Sequence, residues 1–329
     1  MKKIAIIFLL LSILTAGFVF WRVNSPEGEY LEKQIRYMMD TYVTIYAYGP
    51  KRKASSAIDH AFQRMEEVAA KFDAHNEKSP VYAFNHKGTP ITDREILEVT
   101  HVALDVSKKS EGAFDITVYP LVKLWGFYKT KMQVPSENEI KAALDNVGYR
   151  HLIIKDKKLT SDKKGIAIDF GGIAKGYAAD RAAEVLRKDG ITSALIDAGG
   201  SIYAIGTNKG NPWKVGLQHP RKEGIFGYVE ISNTALNTSG DYRRFFIANG
   251  KRYSHIISPK TGYPVGEISG VTVIYPNSTL GDAWSTAVFV LGRERGIEAV
   301  KDIPGMELIM VDAGGNISYS AGLKDKLVR

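Results

Sequence analysis

Apolar residues follow three different rhythms along this chain. Between Ile4 and Trp21 they run almost unbroken, interrupted by Ser12, Thr15 and Gly17 and preceded by Met1-Lys2-Lys3. That is the plan of a secretory signal or signal-anchor helix over residues 1–22. Ala16-Gly17 leads into Phe18-Val19-Phe20-Trp21 rather than a small-x-small cleavage site, which favours a single-pass anchor with Lys2 and Lys3 on the cytoplasmic side. Residues 23–34, with Pro26 and Gly28, read as a linker, and residues 35–329 as one catalytic-sized domain.

The second rhythm is helical. Ile58, Ala61, Phe62, Met65, Val68, Ala69 and Phe72 recur at a 3.6-residue period that closes near Asp73, and a loop through His75 and Pro80 follows. Thr92-Asp93-Arg94-Glu95 reads as a capping box for a helix that stops at Gly112. Ser136, with Pro135 before it and Glu139 three residues on, starts another that stops at Gly148.

The third rhythm is alternation. Tyr42, Thr44 and Tyr46 alternate with Val43, Ile45 and Ala47 as a strand, and Ile166, Ile168 and Phe170 predict another, which breaks at Gly171-Gly172 and reopens as a helix up to Gly190. Ala194 to Gly206 reads as two strands joined at Gly199-Gly200. Asn249-Gly250 marks a hairpin with His255 near its far end, because both central residues of that turn take positive φ. Val271, Val273 and Tyr275 form a strand, Thr279 to Gly292 a helix, and Leu308 to Met310 a last alternation before Gly314-Gly315. Helices in the first half and hairpins in the second predict an α+β fold, two lobes around a groove.

Composition narrows the classes. With 44% apolar residues in 329 the chain buries a real core, and with no cysteine it has no disulfide, no thiolate metal site and no lipid on a cysteine. The net charge of +8 is spread in short groups such as Lys51-Arg52-Lys53, a pattern of solvated faces rather than a nucleic-acid site.

Candidate chemistry gathers at a few places. The helix start after Gly171-Gly172, with Lys175, reads either as an anion site or as an ordinary tight connection. Asp282 and Thr286, four apart near a helix start, are either caps or half of a hard-cation site. Asp115, in Gly112-Ala113-Phe114-Asp115-Ile116-Thr117, either lines a pocket or caps a turn. His255 is either a satisfied histidine or a general base.

Several segments together resemble the ApbE family, the FAD:protein FMN transferases: Met39-Asp40-Thr41, Gly112-Ala113-Phe114-Asp115, Asp169-Phe170-Gly171-Gly172-Ile173-Ala174-Lys175-Gly176, Asp197-Ala198-Gly199-Gly200, Ser254-His255-Ile256-Ile257, Pro259-Lys260-Thr261-Gly262 and Asp282-Ala283-Trp284-Ser285-Thr286. The resemblance covers most of the chain after the linker and follows the family's order. It implies an ApbE-like two-lobed fold and a Mg²⁺-dependent enzyme that splits the pyrophosphate of FAD, its substrate. FMN goes by a phosphoester to a Thr of an exported or membrane protein, and AMP is released. It also implies that Asp282, Ser285, Thr286 and a carbonyl at Gly172 hold the metal, and that His255 and Lys175 serve catalysis. Met39, His75, Ala113, Phe114, Asp115, Asp169, Lys175 and Ile257 would line the FAD site.

The implied partners are flavin-carrying subunits of membrane redox complexes with Asp-x-x-Ser/Thr-x-Ala-Thr acceptor segments, met on the periplasmic face of the inner membrane. Two departures bear on substrate positioning: Ser258 stands where many relatives carry Asp, and His75 where a Tyr is frequent. The competing readings are an FAD pyrophosphatase making FMN and AMP, and a flavin-binding or delivery protein without turnover.

Overall fold

A computed structural model describes residues 29–128, 131–324 and 327–328. The alternating stretches assemble into one eight-stranded sheet: β1 (Tyr30–Met38), β2 (Thr41–Gly49), β3 (Ala194–Ala198), β4 (Ser201–Ile205), β5 (Thr234–Gly240), β6 (Ile268–Tyr275), β7 (Glu307–Asp312) and β8 (Ile317–Tyr319). Spatial order equals chain order, and every neighbouring pair is antiparallel. Two of the connections are two-residue turns, at Met39-Asp40 and Gly199-Gly200, and all four residues take positive φ as such turns require.

The other connections carry the rest of the fold. Between β2 and β3 come α1 (Lys51–Phe72), α2 (Pro80–Lys87), α3 (Arg94–Lys109), α4 (Tyr119–Leu124), α5 (Glu137–Leu144) and α6 (Ala174–Lys188). Between β6 and β7 come α7 (Ser278–Leu291) and α8 (Arg293–Val300). Helices α1, α6 and α7 bury Ile58, Phe62, Tyr177, Ala182 and Val288 against Val43, Ile45, Val271 and Val273 of the sheet. Over part of the opposite face lies a second sheet of Trp213–Gln218, Ile225–Ile231 and Leu327–Val328, which places Val215, Leu217 and Val229 on Leu236, Ile274 and Ile309. A third cluster, around Trp125, packs α4 and α5 on the hairpin Phe245–Ala248/Lys251–Ser254, with Trp125 Nε1 donating to Gly262 O at 2.8 Å. The mixed α and β content matches the expected class.

The differences from the sequence reading have local causes. β1 begins at Tyr30, inside the segment read as linker, because its polar inner residues hide the alternation. The stretch Ile166–Phe170 is extended but joins no ladder: Asn85 clamps it, donating to Ile168 O at 2.8 Å and accepting from Ile168 N at 2.7 Å. α2 occupies part of the supposed loop, with Ser79 as N-cap, Pro80 at the first position and Gly88 at φ 65 after the end. The box at Thr92 is displaced by one residue. Asp93 caps α3 through Glu95 N and Ile96 N, while the Glu95 carboxylate turns to Arg64, Lys71 and Tyr177. The box at Ser136 and Glu139 forms as read. The signal or anchor helix expected over residues 1–22 lies outside the described residues; no helix among those described is long and apolar enough to cross a membrane.

Helices α6 and α7 pass antiparallel in backbone contact. A Cβ on Gly176 would collide with Ser278 O and stand 2.7 Å from Asp282 Cβ. Gly to Ala inside an exposed helix gains about 1 kcal/mol; here the sign reverses. Gly176→Ala should lose on the order of 1–3 kcal/mol, read as a lower urea midpoint at unchanged slope, and a gain in stability would refute the close crossing.

Candidate active site

The site grows out of that crossing. Position by position, Asp180 meets Ser278, Gly176 meets Asp282 and Gly172, just before α6, meets Thr286, each step four residues back towards the start of α6 against one turn forward on α7. Asp180 accepts from Ser278 N (2.9 Å), Thr279 N (2.8 Å) and Thr279 Oγ1 (2.6 Å), and so caps α7 from the neighbouring helix. Burial pushes its carboxyl above the ordinary range, and those three bonds pull it back. In return, Asp282 Oδ2 accepts from Gly176 N at 2.9 Å. A carboxylate of the protein itself thus stands at the start of α6, and the N–H groups of Ile173 and Ala174 go to Phe170 O.

Neither Gly171 nor Gly172 takes a positive φ. Gly172 supplies room instead: a Cβ there would stand 3.1 Å from Phe114 Cε2 and 3.2 Å from Thr286 Oγ1. Ser285 Oγ donates to Asp282 O and meets Ser239 Oγ at 2.8 Å, while Ser239 Oγ lies 3.2 Å from Thr286 Oγ1. Each hydroxyl has one proton. With that of Ser285 on Asp282 O, Ser239 gives its own to Ser285 and receives that of Thr286, so the lone pairs of Thr286 stay available on the Gly172 side. The Ser285 hydroxyl, buried and engaged twice, supports its neighbours rather than facing the seam.

Beside this seam stands a group of charges. Lys175 Nζ donates to Gly171 O at 3.2 Å, and its charge acts on both Asp169 and His255. Asp169 accepts from Gly171 N; desolvation raises its carboxyl, opposed by that bond and by His75, Lys175 and Arg244. His255 Nδ1 lies 3.1 Å from Arg244 O, and because a carbonyl only accepts, Nδ1 carries the proton and Nε2 the lone pair. Burial lowers His255 to about 4, aided by the charges of Lys175 and Arg244 and resisted by its bond to the Arg244 carbonyl. Arg244 itself donates to Asp40 Oδ2 at 3.0 Å and to Phe127 O at 3.4 Å, which joins the β1–β2 turn to the helical half.

The remaining sequence candidates divide. His75 is exposed, its ring 4.3 Å from Tyr128 and 5.9 Å from Tyr119, whose hydroxyl is raised by burial and by Asp169. The Tyr128 hydroxyl is buried without a hydrogen-bond partner among the described residues. Met39 sits half-buried at φ 50 in the β1–β2 turn, Ala113 is buried, and Phe114 is buried beside Gly172. Asp115 is spent on structure: it accepts from Thr117 N, Thr117 Oγ1 and Tyr149 N, and burial raises its carboxyl against those bonds. The Ile257 side chain belongs to the Trp125 cluster, so only its main chain can address a ligand. Sequence reasoning missed Asp180, Ser239, Arg244, Tyr119 and Tyr128. Ser239 precedes Gly240-Asp241 and Arg244 comes three residues after Asp241, and an unassigned Gly between polar residues was the available signal.

No ring of three or more His, Cys, Asp or Glu occurs among the described residues. One carboxylate, one hydroxyl and a nearby carbonyl suit a hard cation that keeps water and phosphate oxygens in its shell, the habit of Mg²⁺. Fold and site together define a mixed α and β protein in which oxygen donors stand at the crossing of two helices and a lysine beside them acts on a neutral imidazole. The chain belongs to the ApbE family, whose model matches residues 39–310. It is 34% identical over 302 residues to the FAD:protein FMN transferase of Salmonella typhimurium, 87% of this chain and 85% of that protein. The crystal structure of the ApbE protein of Thermotoga maritima superposes with a TM-score of 0.84 at 35% identity, over 90% of this chain and 99% of that one. The flavin transferase ApbE of Vibrio cholerae gives a TM-score of 0.80 at 28% identity, over 89% and 97%.

The unfolded chain protonates His255 near 6.5 and the folded chain near 4. Between these values only the unfolded state takes the proton, so this contribution to stability is complete above pH 6.5 and is lost as the pH falls towards 4. Urea midpoints of His255→Gln should therefore fall less steeply with acid than those of the native sequence. Parallel slopes would mean that His255 is not held neutral.

Proposed function

We propose that this protein is a Mg²⁺-dependent FAD:protein FMN transferase. The observation that carries the reading is the seam itself, which sets Asp282 and Thr286 against Gly172, next to Lys175, whose ammonium acts on the neutral His255. The relatives' activity supports it.

In this reading Asp282, Thr286 and the Gly172 carbonyl hold the cation, with Ser285 and Ser239 fixing the Thr286 proton. Bound there, Mg²⁺ would neutralise charge on the pyrophosphate oxygens. Lys175 faces the same oxygens. His255 Nε2 accepts the proton of the acceptor Thr hydroxyl as its oxygen bonds to the FMN phosphorus. The bond from that phosphorus to the bridging oxygen breaks, and AMP leaves with it. Because His255 is neutral through the physiological range, its base form needs no further deprotonation. The rings of His75, Tyr119 and Tyr128, with the Tyr128 hydroxyl awaiting a partner, offer a surface for the flavin, beside Met39, Phe114 and Asp169. His75 in place of a Tyr keeps a flat ring there. Ser258 accepts a weak 3.4 Å bond from Thr261 N and holds the turn before Gly262. The apolar run Ile4 to Trp21 supports export and anchoring, with flavin-carrying subunits of membrane redox complexes as acceptors.

The test is mass spectrometry of an acceptor-motif protein incubated with this chain, FAD and Mg²⁺. An FMN adduct on Thr with AMP released is expected; free FMN and AMP without adduct would make it a pyrophosphatase, and intact FAD a binder. His255→Ala should still bind FAD yet transfer roughly 10²–10⁴-fold more slowly, whereas Asp282→Ala should lose Mg²⁺-dependent turnover. Undiminished transfer by His255→Ala removes that residue as the base.

A further inference from the structure

The edge of the sheet has its polarity reversed. Along β1 the inward residues are Glu32, Gln34 and Arg36, and the last two meet polar groups of α1: Gln34 Nε2 donates to Ser55 O at 3.3 Å, and Arg36 pairs with Asp59 at 2.5 Å and Glu66 at 3.4 Å. The outward residues are Leu31, Lys33, Ile35 and Tyr37. Of these Leu31 is 45%, Ile35 54% and Tyr37 66% exposed, as is 70% of Tyr42 on β2. An edge strand in water ordinarily shows the opposite arrangement, because exposed apolar edges invite association.

The face is continuous and organised. Tyr37 lies opposite Tyr42, their rings edge to face at 5.4 Å, Ile35 opposite Thr44, and Lys33 opposite Tyr46 with its ammonium 5.3 Å over that ring. β1 and β2 place no carboxylate on it. The first one inward, Asp197 on β3, accepts from Gly200 N at 3.3 Å. The second sheet covers the outer face only as far as Tyr46 and Tyr48, so the bare part runs from that cover to the free edge of β1.

We propose that this face of β1 and β2 rests on the lipid–water interface of the membrane, an inference that depends on the anchored reading above. Tyr, Leu and Ile with one Lys and no acid is the chemistry of an interfacial surface, where phenols and ammonium reach the headgroups while rings and alkyl chains sit below. The length of chain between anchor and strand points to the same occupant. From Trp21 to Tyr30 is nine residues, which span at most about 30 Å when fully extended. The start of β1 is therefore held near the bilayer surface. The far end of the hairpin carries Asp40, bonded to Arg244 beside His255, so the strand that lies on the membrane also leads to the site.

The absence of native cysteine makes the test clean. Single variants Ile35→Cys and Tyr42→Cys of the full chain, labelled with an environment-sensitive fluorophore in nanodiscs of zwitterionic and anionic lipid, are compared with Ile297→Cys, 45% exposed on α8. Quenching by spin-labelled lipid, with several-fold less quenching by aqueous iodide than at position 297, is expected at both face positions. Labels at 35 and 42 open to iodide on a nanodisc-bound chain would overturn the inference and leave the anchor standing. Shielding from both quenchers would assign the face to a second copy or another protein and overturn it equally. A chain that does not enter nanodiscs at all would refute the anchor itself, and the inference with it.

Discussion

Two buried carboxylates exchanged between two helices hold this molecule's centre. Asp180 on α6 caps the start of α7, and Asp282 on α7 accepts from the backbone at the start of α6. Each carboxylate satisfies N–H groups that the other helix cannot satisfy itself. The exchange is possible only because Gly176 lets the two backbones touch. Thr286 and Gly172 then fall into register one turn further on, with no separate device to place them. The spacing of the candidate donors follows from helix packing, so their placement and the stability of the crossing rest on the same contacts.

This explains which parts of the site were legible in the residues. Asp282 and Thr286 could be paired in advance because four residues make one helical turn, a local rule. Asp180 could not, since its role depends on a helix that begins almost a hundred residues later. The same holds for Arg244, whose carbonyl sets the tautomer of His255 and whose guanidinium reaches Asp40 across the length of the chain. Asp115 shows the converse. Its motif suggested a pocket wall, yet Thr117 and Tyr149 take up its oxygens, because a buried carboxylate must find donors before it can serve a ligand.

The fold divides in the same way. Strands with apolar inner faces, such as β2, β3 and β6, show in the alternation, and their order along the chain turns out to be their order in the sheet. β1 does not show, since its inner face is polar and its outer face apolar. Ile166–Phe170 shows falsely: it alternates like a strand, but Asn85 and Ile116 O supply the bonds that a neighbouring strand would have given. A period of two reports which residues are buried. It does not report whether the hydrogen-bond partner is a ladder or a single amide side chain.

The two glycine pairs make the same point about the site. Gly199-Gly200 and Gly171-Gly172 look alike in the sequence, and both precede a change of direction. At the first, φ values of 64 and 104 close a two-residue turn, so the requirement is conformational. At the second, φ is ordinary and the requirement is space, for Phe114 and Thr286 on one side and the Asp169 carboxylate on the other. A glycine kept for space marks where other groups press against the backbone. The pair that closes a turn is structural, and the pair with ordinary φ lies at the candidate site.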